Sequence, residues 1–339
     1  MDFPKPLLID STDNPVLRWG IIGPGEIAKV WTSAVQRFTN QRVVAVASTS
    51  PERGQAFATE LGIPKFYTSY KDLVSDPDIE AVYIASWQGS HFEHGMLCVE
   101  YGKPFLVEKP ITYTASQAKH LLEAARSKGL LVMEAMWTRY LPQASVIDQI
   151  LAGGELGKPE LLTACFATDN RSIPRLWTKG GGGVVHDMGI YPIALAQQFL
   201  GDPIEIRASG NLSESGIDAE AFVELRYESG ARASLVMSAI ASLPQTVHCS
   251  FENAVLNIEA PFLAPSTLTL TGKEFYPESS SWNDRSQIQG HDGLCYPAVA
   301  FSSYLSRGLL ESPVRSHADT IRCIAVAEEI VRQLGATPY

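Results

Sequence analysis

The sequence predicts an α/β protein with an N-terminal doubly wound parallel sheet and a C-terminal α/β domain built on a large, predominantly antiparallel open sheet. Three observations support this fold class: a glycine turn directly after the first apolar strand, strand–helix alternation up to about Met136, and period-two alternation from about Leu161. Strand–helix alternation is typical of parallel sheets. Period-two alternation is typical of an antiparallel sheet with one covered face.

Composition narrows the class of protein. The 339 residues, 45% of them hydrophobic and 19% charged, are enough for two domains with well-filled cores. A formal net charge of −10 argues against nucleic acid or an anionic membrane as a partner. The five cysteines lack Cys-x-x-Cys spacing, which favours reduced thiols and a cytoplasmic location. We expect neither a signal peptide nor a membrane-spanning segment.

The first predicted strand, residues 17–22, leads directly into the turn Gly23-x-Gly25-x-x-Ala28. In a dinucleotide-binding turn the first glycine permits the tight bend and the second lets the backbone approach a pyrophosphate, while the third position needs a small residue. The helix that follows directs its free N–H groups at the phosphates. The turn and its context therefore predict a dinucleotide cofactor.

The second predicted strand, Arg42 to Ala47, ends where an Asp or Glu would bind the ribose 2′-hydroxyl of NAD. The chain instead reads Ser48-Thr49-Ser50, with Arg53 three residues further on. Small hydroxyl residues leave room for a 2′-phosphate, and an arginine can pair with it. NADP is therefore favoured and NAD remains possible. In the alternative interpretation, Arg53 only solvates the start of a helix.

The rest of the N-terminal half continues the alternation. We predict strands over 81–85, 105–107 and 130–133, and helices that begin at the capping boxes Ser90-His91-Phe92-Glu93 and Thr114-Ala115-Ser116-Gln117. The second half contains a final helix over 318–334. Its period-two segments lie near 161–168, 204–208, 219–227, 232–239, 247–251, 254–258 and 267–271.

The strand over 105–107 ends in Glu108-Lys109-Pro110. Ligands bind at the carboxyl ends of parallel strands in such folds, so Lys109 is a catalytic candidate. Glu108 is expected to point to the opposite side and to anchor the loop. The alternative is an ordinary surface lysine at a strand end.

Four glycines, 180–183, precede Asp187 and Tyr191. Glycines permit close approach of the backbone to a ligand. Residues four apart share one face of a helix, and an acid and a phenol beside a lysine can form a proton relay. The alternative is a flexible loop with Tyr191 packed in the core.

His91 and His94 lie three apart at a predicted helix start. No further His, Cys or carboxylate cluster completes a metal site, so we predict no metal. We expect His91 to line the nicotinamide cleft and His94 only to pack.

These motifs together resemble the Gfo/Idh/MocA family of sugar-type oxidoreductases, from about residue 16 onward. The resemblance rests on the glycine turn, on Asp76-Pro77-Asp78-Ile79-Glu80-Ala81, on Glu108-Lys109-Pro110 and on Gly181-Gly182-Gly183-x-x-x-Asp187-x-Gly189-x-Tyr191-Pro192. Met133 to Tyr140 looks most like the dimeric dihydrodiol dehydrogenase and NADP-dependent D-xylose dehydrogenase branch.

The resemblance implies roles for individual residues. Lys109 would contact the reacting hydroxyl, Tyr191 would act as general acid and base, and Asp187 would orient the substrate or the phenol. Trp177 would join these three in binding the substrate. The implied cofactor contacts are Gly23, Pro24, Gly25, Glu26, Ile27, Ser48, Thr49, Ser50, Arg53, Ser86, Trp87, His91, Glu108, Lys109, Trp137 and Arg139.

The resemblance also implies a domain plan and an activity. The plan is an arm over 1–15, a Rossmann domain over 16–137, and a substrate-binding and dimerisation domain over 138–339 that pairs sheet to sheet in a homodimer. The activity is hydride transfer between a nicotinamide cofactor and a sugar, polyol or trans-dihydrodiol carbinol. An NAD-linked inositol-type dehydrogenase and a non-catalytic NAD(P)-binding sensor remain alternatives.

Overall fold

A computed structural model of the chain describes residues 2–10 and 12–337. The chain forms two compact units. The first comprises Ile9–Tyr140 and Ile288–Ile321, and the second comprises Leu141–Gln287 together with both ends of the chain. The predicted ranges 1–15 and 138–339 include residues 1, 11, 338 and 339, which lie outside the described residues.

The strands form two sheets, a six-stranded parallel one in the first unit and an eight-stranded mixed one in the second. In chain order they are β1 Arg18–Ile22, β2 Arg42–Ala47, β3 Lys65–Tyr67, β4 Ala81–Ile84, β5 Phe105–Val107, β6 Val132–Glu134, β7 Pro159–Ala167, β8 Glu205–Leu212, β9 Asp218–Arg226, β10 Arg232–Ser238, β11 Val247–Phe251, β12 Val255–Ile258, β13 Thr267–Thr271 and β14 Ser279–Asn283.

The α-helices connect or cover these sheets. They are α1 Glu26–Phe38, α2 Pro51–Leu61, α3 Tyr70–Ser75, α4 His91–Glu100, α5 Ala115–Ser127, α6 Pro142–Gly153, α7 Ile190–Leu200, α8 Tyr296–Ser306 and α9 His317–Leu334. A wide helical turn over Val185–Gly189 leads directly into α7.

The parallel sheet has the strand order β3-β2-β1-β4-β5-β6, and each neighbouring pair is parallel. The order reverses direction at β1, so β1 and β4 flank the switch point where doubly wound sheets bind ligands. The fold class predicted for this half is confirmed. The strand ends after β1, β2, β4 and β5 therefore meet at one carboxyl edge.

Aromatic residues fill the core of this unit beside β1. Trp31 of α1 stacks on Tyr83 of β4 with ring centroids 4.1 Å apart, and Trp19 of β1 meets Trp31 edge-on at 5.4 Å. Phe301 of α8 lies 5.0 Å from Trp19. All four side chains are fully buried, so α1 is fixed against the strands whose ends form the cofactor edge.

The mixed sheet has the order β14-β13-β12-β11-β7-β10-β9-β8, with only the β7–β10 pair parallel. Alternation along β9 is clear, because Ala221, Val223 and Leu225 are buried while Phe222 and Glu224 are exposed. The predicted antiparallel character and the single covered face are confirmed. Helix α7 lies against the covered face, where Gly189 approaches Met237 of β10.

Several local predictions differ from the structure. The capping box at Ser90 is wrong: Ser90 belongs to a short 3₁₀ turn, and within the described chain its side chain makes no capping bond. Thr114 does cap α5, by accepting the N–H of Gln117 at 3.2 Å. Strand β6 begins two residues later than predicted. Strands β3 and β14 were not predicted, because β3 has only three residues and β14 is a polar edge strand.

The segment Ile288–Ile321 clusters with the parallel-sheet unit, although the sequence placed all of 138–339 in one domain. Polar contacts as well as apolar ones attach this segment to that unit. Arg315 pairs with Glu134 of β6 at 2.7 Å, the N–H of Val132 donates to Leu310, and a ring nitrogen of His317 lies 3.0 Å from the carbonyl of Val132. Such long-range pairing leaves no signal in local sequence.

None of the five cysteines, all within the described residues, forms a disulfide. No helix in the described part of the chain combines the length and apolar character that a bilayer crossing requires.

Candidate active site

The turn after β1 has the geometry expected of a pyrophosphate-binding turn. Gly23 adopts φ +94°, and a Cβ there would lie 2.9 Å from the Cα of Ser86, so this position requires glycine. Gly25 begins α1, and no side chain of the described residues caps the helix there. The first N–H groups of α1 therefore remain directed at a ligand position. Ala28 is fully buried.

The tip of β2 is a compact turn of hydroxyl residues. The N–H of Ser50 donates to Ser48 Oγ at 3.1 Å, and Ser50 Oγ caps α2 by accepting the N–H of Arg53. Thr49 and Arg53 are exposed, whereas Ser48 is buried. The hydroxyls of Ser48 and Ser50 thus shape the turn, and Arg53 lies at the exposed start of α2.

The segment after β4 joins this edge through His91. Both ring nitrogens face backbone carbonyls, with Nδ1 2.8 Å from Pro110 O and Nε2 3.1 Å from Ser86 O. Burial lowers the pKa of His91 to about 4. A neutral ring has one N–H, so it donates to one carbonyl at a time. Since His91 is fully buried, it holds two loops together and does not itself line an open cleft. Trp87 is 56% exposed.

The loop after β5 carries Lys109 and is fixed at three points. Glu108 accepts the Tyr83 hydroxyl at 2.6 Å and the N–H of Lys109 at 3.2 Å. His91 faces the carbonyl of Pro110, and the N–H of Ile111 donates to Glu134 at 3.0 Å. Burial raises the pKa of Glu108, and the hydrogen bond from Tyr83 opposes that shift. The half-buried Lys109 thus lies in a preorganised loop.

Glu134 is itself held by a buried ion pair. Arg315 Nε lies 2.7 Å from Glu134 Oε2, and the two side chains are 3% and 0% exposed. The next predicted cofactor residues follow β6: Trp137 is buried with its ring 5.7 Å from that of His291, and Arg139 donates to Val314 O at 3.2 Å. The structure therefore packs Trp137 and Arg139 against the segment that follows Ile288.

In the mixed-sheet unit, the glycine run is packed against the protein itself. A Cβ at Gly181 would lie 1.6 Å from Arg175 O. At Gly183, where φ is +61°, it would lie 2.1 Å from Asp218 Oδ1. Both glycines are buried. These contacts within the chain require both residues to be small, whereas the sequence had suggested that the glycines make room for a ligand.

Asp187 lies in the wide turn and Tyr191 in the first turn of α7. Arg175 faces Asp187 with N···O distances of 3.3 and 3.4 Å, which are long for a charged pair. Tyr191 is 8% exposed, and its ring centroid lies 5.9 Å from that of Phe166. Trp177 donates its indole N–H to Asn170 O at 3.1 Å.

The predicted site residues thus fall into two groups. Those after β1, β2, β4 and β5, including Lys109, meet at the carboxyl edge of the parallel sheet. Asp187, Tyr191 and Trp177 belong to the mixed-sheet unit. Across residues 2–10 and 12–337, no group of three or more His, Cys, Asp or Glu side chains is placed to hold a metal ion. His94 packs against Tyr70 and bonds to Ser86.

Sequence reasoning missed four polar residues that hold this site. They are Tyr83, Glu134, Arg315 and Asp218. Tyr83, Glu134 and Asp218 contact a predicted site residue or the backbone near one, and Arg315 contacts Glu134, in each case from a distant part of the chain. A glutamate at the end of β6 was the one visible signal, because an acid directly after two buried apolar residues needs a partner.

Two family models cover most of the chain. Residues 17–136 match the Gfo/Idh/MocA oxidoreductase family, NAD-binding Rossmann fold, and residues 145–256 match the Gfo/Idh/MocA C-terminal domain. The trans-1,2-dihydrobenzene-1,2-diol dehydrogenase of Mus musculus is 33% identical over 329 residues, which are 95% of this chain and 98% of the relative. The Homo sapiens enzyme of that name is 31% identical over 332 residues, again 95% and 98%.

Solved structures show the same fold. KijD10, a 3-ketoreductase from Actinomadura kijaniata in complex with NADP and TDP-benzene, has a TM-score of 0.83 at 23% identity, covering 94% of this chain and 98% of the other. Levoglucosan dehydrogenase in complex with NADH and levoglucosan has a TM-score of 0.85 at 18% identity, covering 96% and 100%. The two family models and the 33% identity to the mouse relative show that the chain belongs to the Gfo/Idh/MocA family of NAD(P)-binding oxidoreductases.

Proposed function

We propose that the chain is an NADP-preferring dehydrogenase that moves a hydride between the nicotinamide and a carbinol carbon of a sugar, a polyol or a trans-dihydrodiol. The observation that carries this proposal is Lys109, at the carboxyl end of β5 in a loop fixed through Glu108, His91 and Glu134. A surface lysine needs no such bracing, whereas a catalytic one must be positioned. The mouse and human relatives, dehydrogenases of a trans-dihydrodiol, support the substrate class.

The proposed chemistry divides between cofactor and protein. Bound NAD(P) supplies the hydride acceptor or donor. During oxidation the carbinol C–H bond breaks, its electron pair leaves with the hydride, and the hydroxyl proton passes to the phenolate oxygen of Tyr191. The ammonium of Lys109 would contact the reacting hydroxyl. Asp187 would orient the substrate, with Trp177 contributing an apolar face.

The proposed cofactor site is the carboxyl edge of the parallel sheet. The glycine turn and the uncapped start of α1 would hold the pyrophosphate, which fits the positive φ of Gly23 and the open N–H groups after Gly25. Ser86 and the exposed Trp87 would lie beside the nicotinamide. Trp137 and Arg139, packed against the segment after Ile288, would support the site from within the unit.

The preference for NADP rests on the tip of β2. Residues 48–50 of the tip lack an acid, Glu52 follows on α2 with its carboxylate accepting from Ser50 Oγ at 3.1 Å, and Arg53 is exposed beside it at the start of α2. The solved structures of KijD10 and levoglucosan dehydrogenase contain NADP and NADH respectively, so these neighbours do not favour one cofactor over the other. Among residues 48–53 Arg53 is the one cation, so it decides the preference in this proposal.

We further propose a homodimer that pairs the open faces of the mixed sheets, in a protein of the cytoplasm. Phe222 of β9 and Leu161 of β7 are each 49% exposed on that face, where Val236 and Arg232 of β10 are their respective partners in the sheet register. Apolar side chains on an open sheet favour burial against a second sheet. Light scattering on the wild type and on Phe222→Glu tests the dimer, which the substitution should dissociate.

The experiment that tests the proposed activity is a fluorescence titration with NADPH and NADH, followed by an absorbance screen. The screen covers aldoses, inositols and other polyols, and trans-1,2-dihydrobenzene-1,2-diol. Tighter binding of NADPH with turnover of one class supports the proposal. Turnover of inositols with NAD would instead favour an inositol-type dehydrogenase. Binding without turnover of any substrate would favour a sensor.

A further inference from the structure

Asp218 is a fully buried carboxylate beneath the glycine run. It begins β9, and its Oδ2 accepts the backbone N–H of Val185 at 2.7 Å. The backbone N–H of Val184 also lowers the pKa of this carboxyl. Its Oδ1 has no hydrogen-bond partner among residues 2–10 and 12–337. Asp218 therefore meets the first N–H groups of the wide turn that leads into α7.

Those N–H groups belong to the start of a helix, where intrahelical partners are missing. Val184 and Gly189, the residues at the two N-cap positions, make no side-chain capping bond, because neither valine nor glycine has a polar side chain. A carboxylate supplied by a neighbouring strand fills that role and complements the positive end of the helix dipole. Asp218 is therefore a cap supplied from elsewhere in the chain.

Gly183 and Asp218 fit each other closely. A Cβ at Gly183 would lie 2.1 Å from Oδ1, 2.5 Å from Cγ and 2.7 Å from Oδ2 of Asp218. Gly189, four residues beyond Val185, lies so near Met237 that a Cβ would come within 2.4 Å of its Sδ. The turn is thus clamped at both ends, by the carboxylate at its start and by β10 at its end.

We propose that Asp218 is a positioning residue, which fixes the helix start that carries Asp187 and Tyr191 by accepting the N–H of Val185. Asp187 follows Val185 by two residues, and Tyr191 follows it by six. A shift of this backbone moves both side chains, and misplacement of about 1 Å lowers the rate of a positioned reaction by about 100-fold. The kinetic consequence rests on the proposed function, whereas the anchoring itself does not.

Hydrogen exchange of the ligand-free, full-length protein tests the anchoring directly. Peptides that cover residues 184–191 should exchange about tenfold faster in Asp218→Ala, as expected for loss of a cap. Asp148→Asn is the matched control, because Asp148 contacts the same helix near its other end by accepting from Gln198 at 2.7 Å. It should leave the exchange of 184–191 unchanged. Unchanged protection in Asp218→Ala would overturn the proposal.

Asp218→Asn provides a second variant, should the alanine variant not fold. It keeps the shape of the side chain and one acceptor oxygen but removes the charge. With NADP and trans-1,2-dihydrobenzene-1,2-diol, kcat should fall about tenfold, while the Kd for NADPH and the melting temperature do not worsen. A kcat equal to wild type, with slow exchange retained, overturns the positioning role. If the wild type itself does not oxidise the diol, the proposed substrate fails, and the exchange experiment still decides the anchoring.

Discussion

The loop after β5 and the turn before α7 both carry proposed catalytic side chains, but they are held in different ways. Polar side chains from separate elements hold the loop of Lys109, namely Tyr83 through Glu108, His91 and Glu134. The turn before α7 is held by close packing at glycines and by the single carboxylate of Asp218.

The difference predicts different responses to mutation. Each hydrogen bond around the β5 loop contributes about 1 kcal/mol, and the others remain when one is lost. At the turn, a single added methyl group meets backbone or carboxylate atoms within van der Waals distance. The β5 loop should therefore lose its order gradually, whereas the turn should be intolerant of small changes. The predictions below test that contrast.

Lys109→Met should have the largest effect. The variant removes the ammonium but leaves the backbone braces of the loop in place, so kcat should fall about 10³-fold. Because the glycine turn and α1 are untouched, the Kd for NADPH should stay within about twofold of wild type. Lys128→Met, at the exposed end of α5, is the control and should behave as wild type. Loss of NADPH binding with kcat intact would contradict the catalytic role of Lys109.

Gly183→Ala should come next and should act on stability. Its φ of +61° and the carboxylate 2.1 Å from the new Cβ together should cost about 3 kcal/mol. Gly153→Ala is the matched control, because among the described residues a Cβ at this position in α6 meets open space. That variant should gain about 0.5 kcal/mol from helix propensity. Thermal or urea unfolding measures both, and equal effects would refute tight packing at the turn.

Arg53→Ala tests whether Arg53, an exposed residue of the parallel-sheet unit, binds the 2′-phosphate of NADP. Loss of a charge-assisted pair should weaken NADPH by about 10- to 100-fold, while NADH changes by less than about twofold. Arg42→Ala, at the opposite end of β2, is the control. Fluorescence titration gives the Kd of each variant for NADPH and for NADH. Equal weakening of NADPH and NADH would remove Arg53 from the proposed 2′-phosphate site.

The sequence predicted one half of the site better than the other for a physical reason. The glycine turn, the strand tips and Lys109 lie in continuous segments whose apolar pattern and glycine positions are local. The ion pair of Glu134 with Arg315 joins residues 181 positions apart, and Asp218 reaches the turn from a neighbouring strand. No local pattern marks such partners. The glycine run was visible, but its reason, contact with Arg175 and Asp218, depends on the tertiary fold.

The smallest expected effect is the change with pH in the contribution of Asp218 to the free energy of unfolding. Burial raises its pKa from an ordinary 3.8 to about 6, more than the backbone N–H groups lower it. The folded state therefore binds a proton more tightly than the unfolded state. This contribution favours folding fully below pH 3.8 and is lost as pH rises through 6. The ionised carboxylate thus costs the folded state up to about 3 kcal/mol at pH 8.

Asp218→Asn should remove that cost and so stabilise the fold by about 1 kcal/mol at pH 8, after allowing for the weaker cap. Near pH 4 the gain should vanish, because the carboxyl of the wild type is then protonated. Urea unfolding of both proteins at pH 4, 6 and 8 measures the trend, with Asp148→Asn as the control that shows no such dependence. If the wild type is more stable than Asp218→Asn at pH 8, the attraction between the carboxylate and the helix start stabilises the fold by more free energy than burial of the charge costs. The turn before α7 would then be held by electrostatic attraction as strongly as by packing, and its contrast with the β5 loop would narrow.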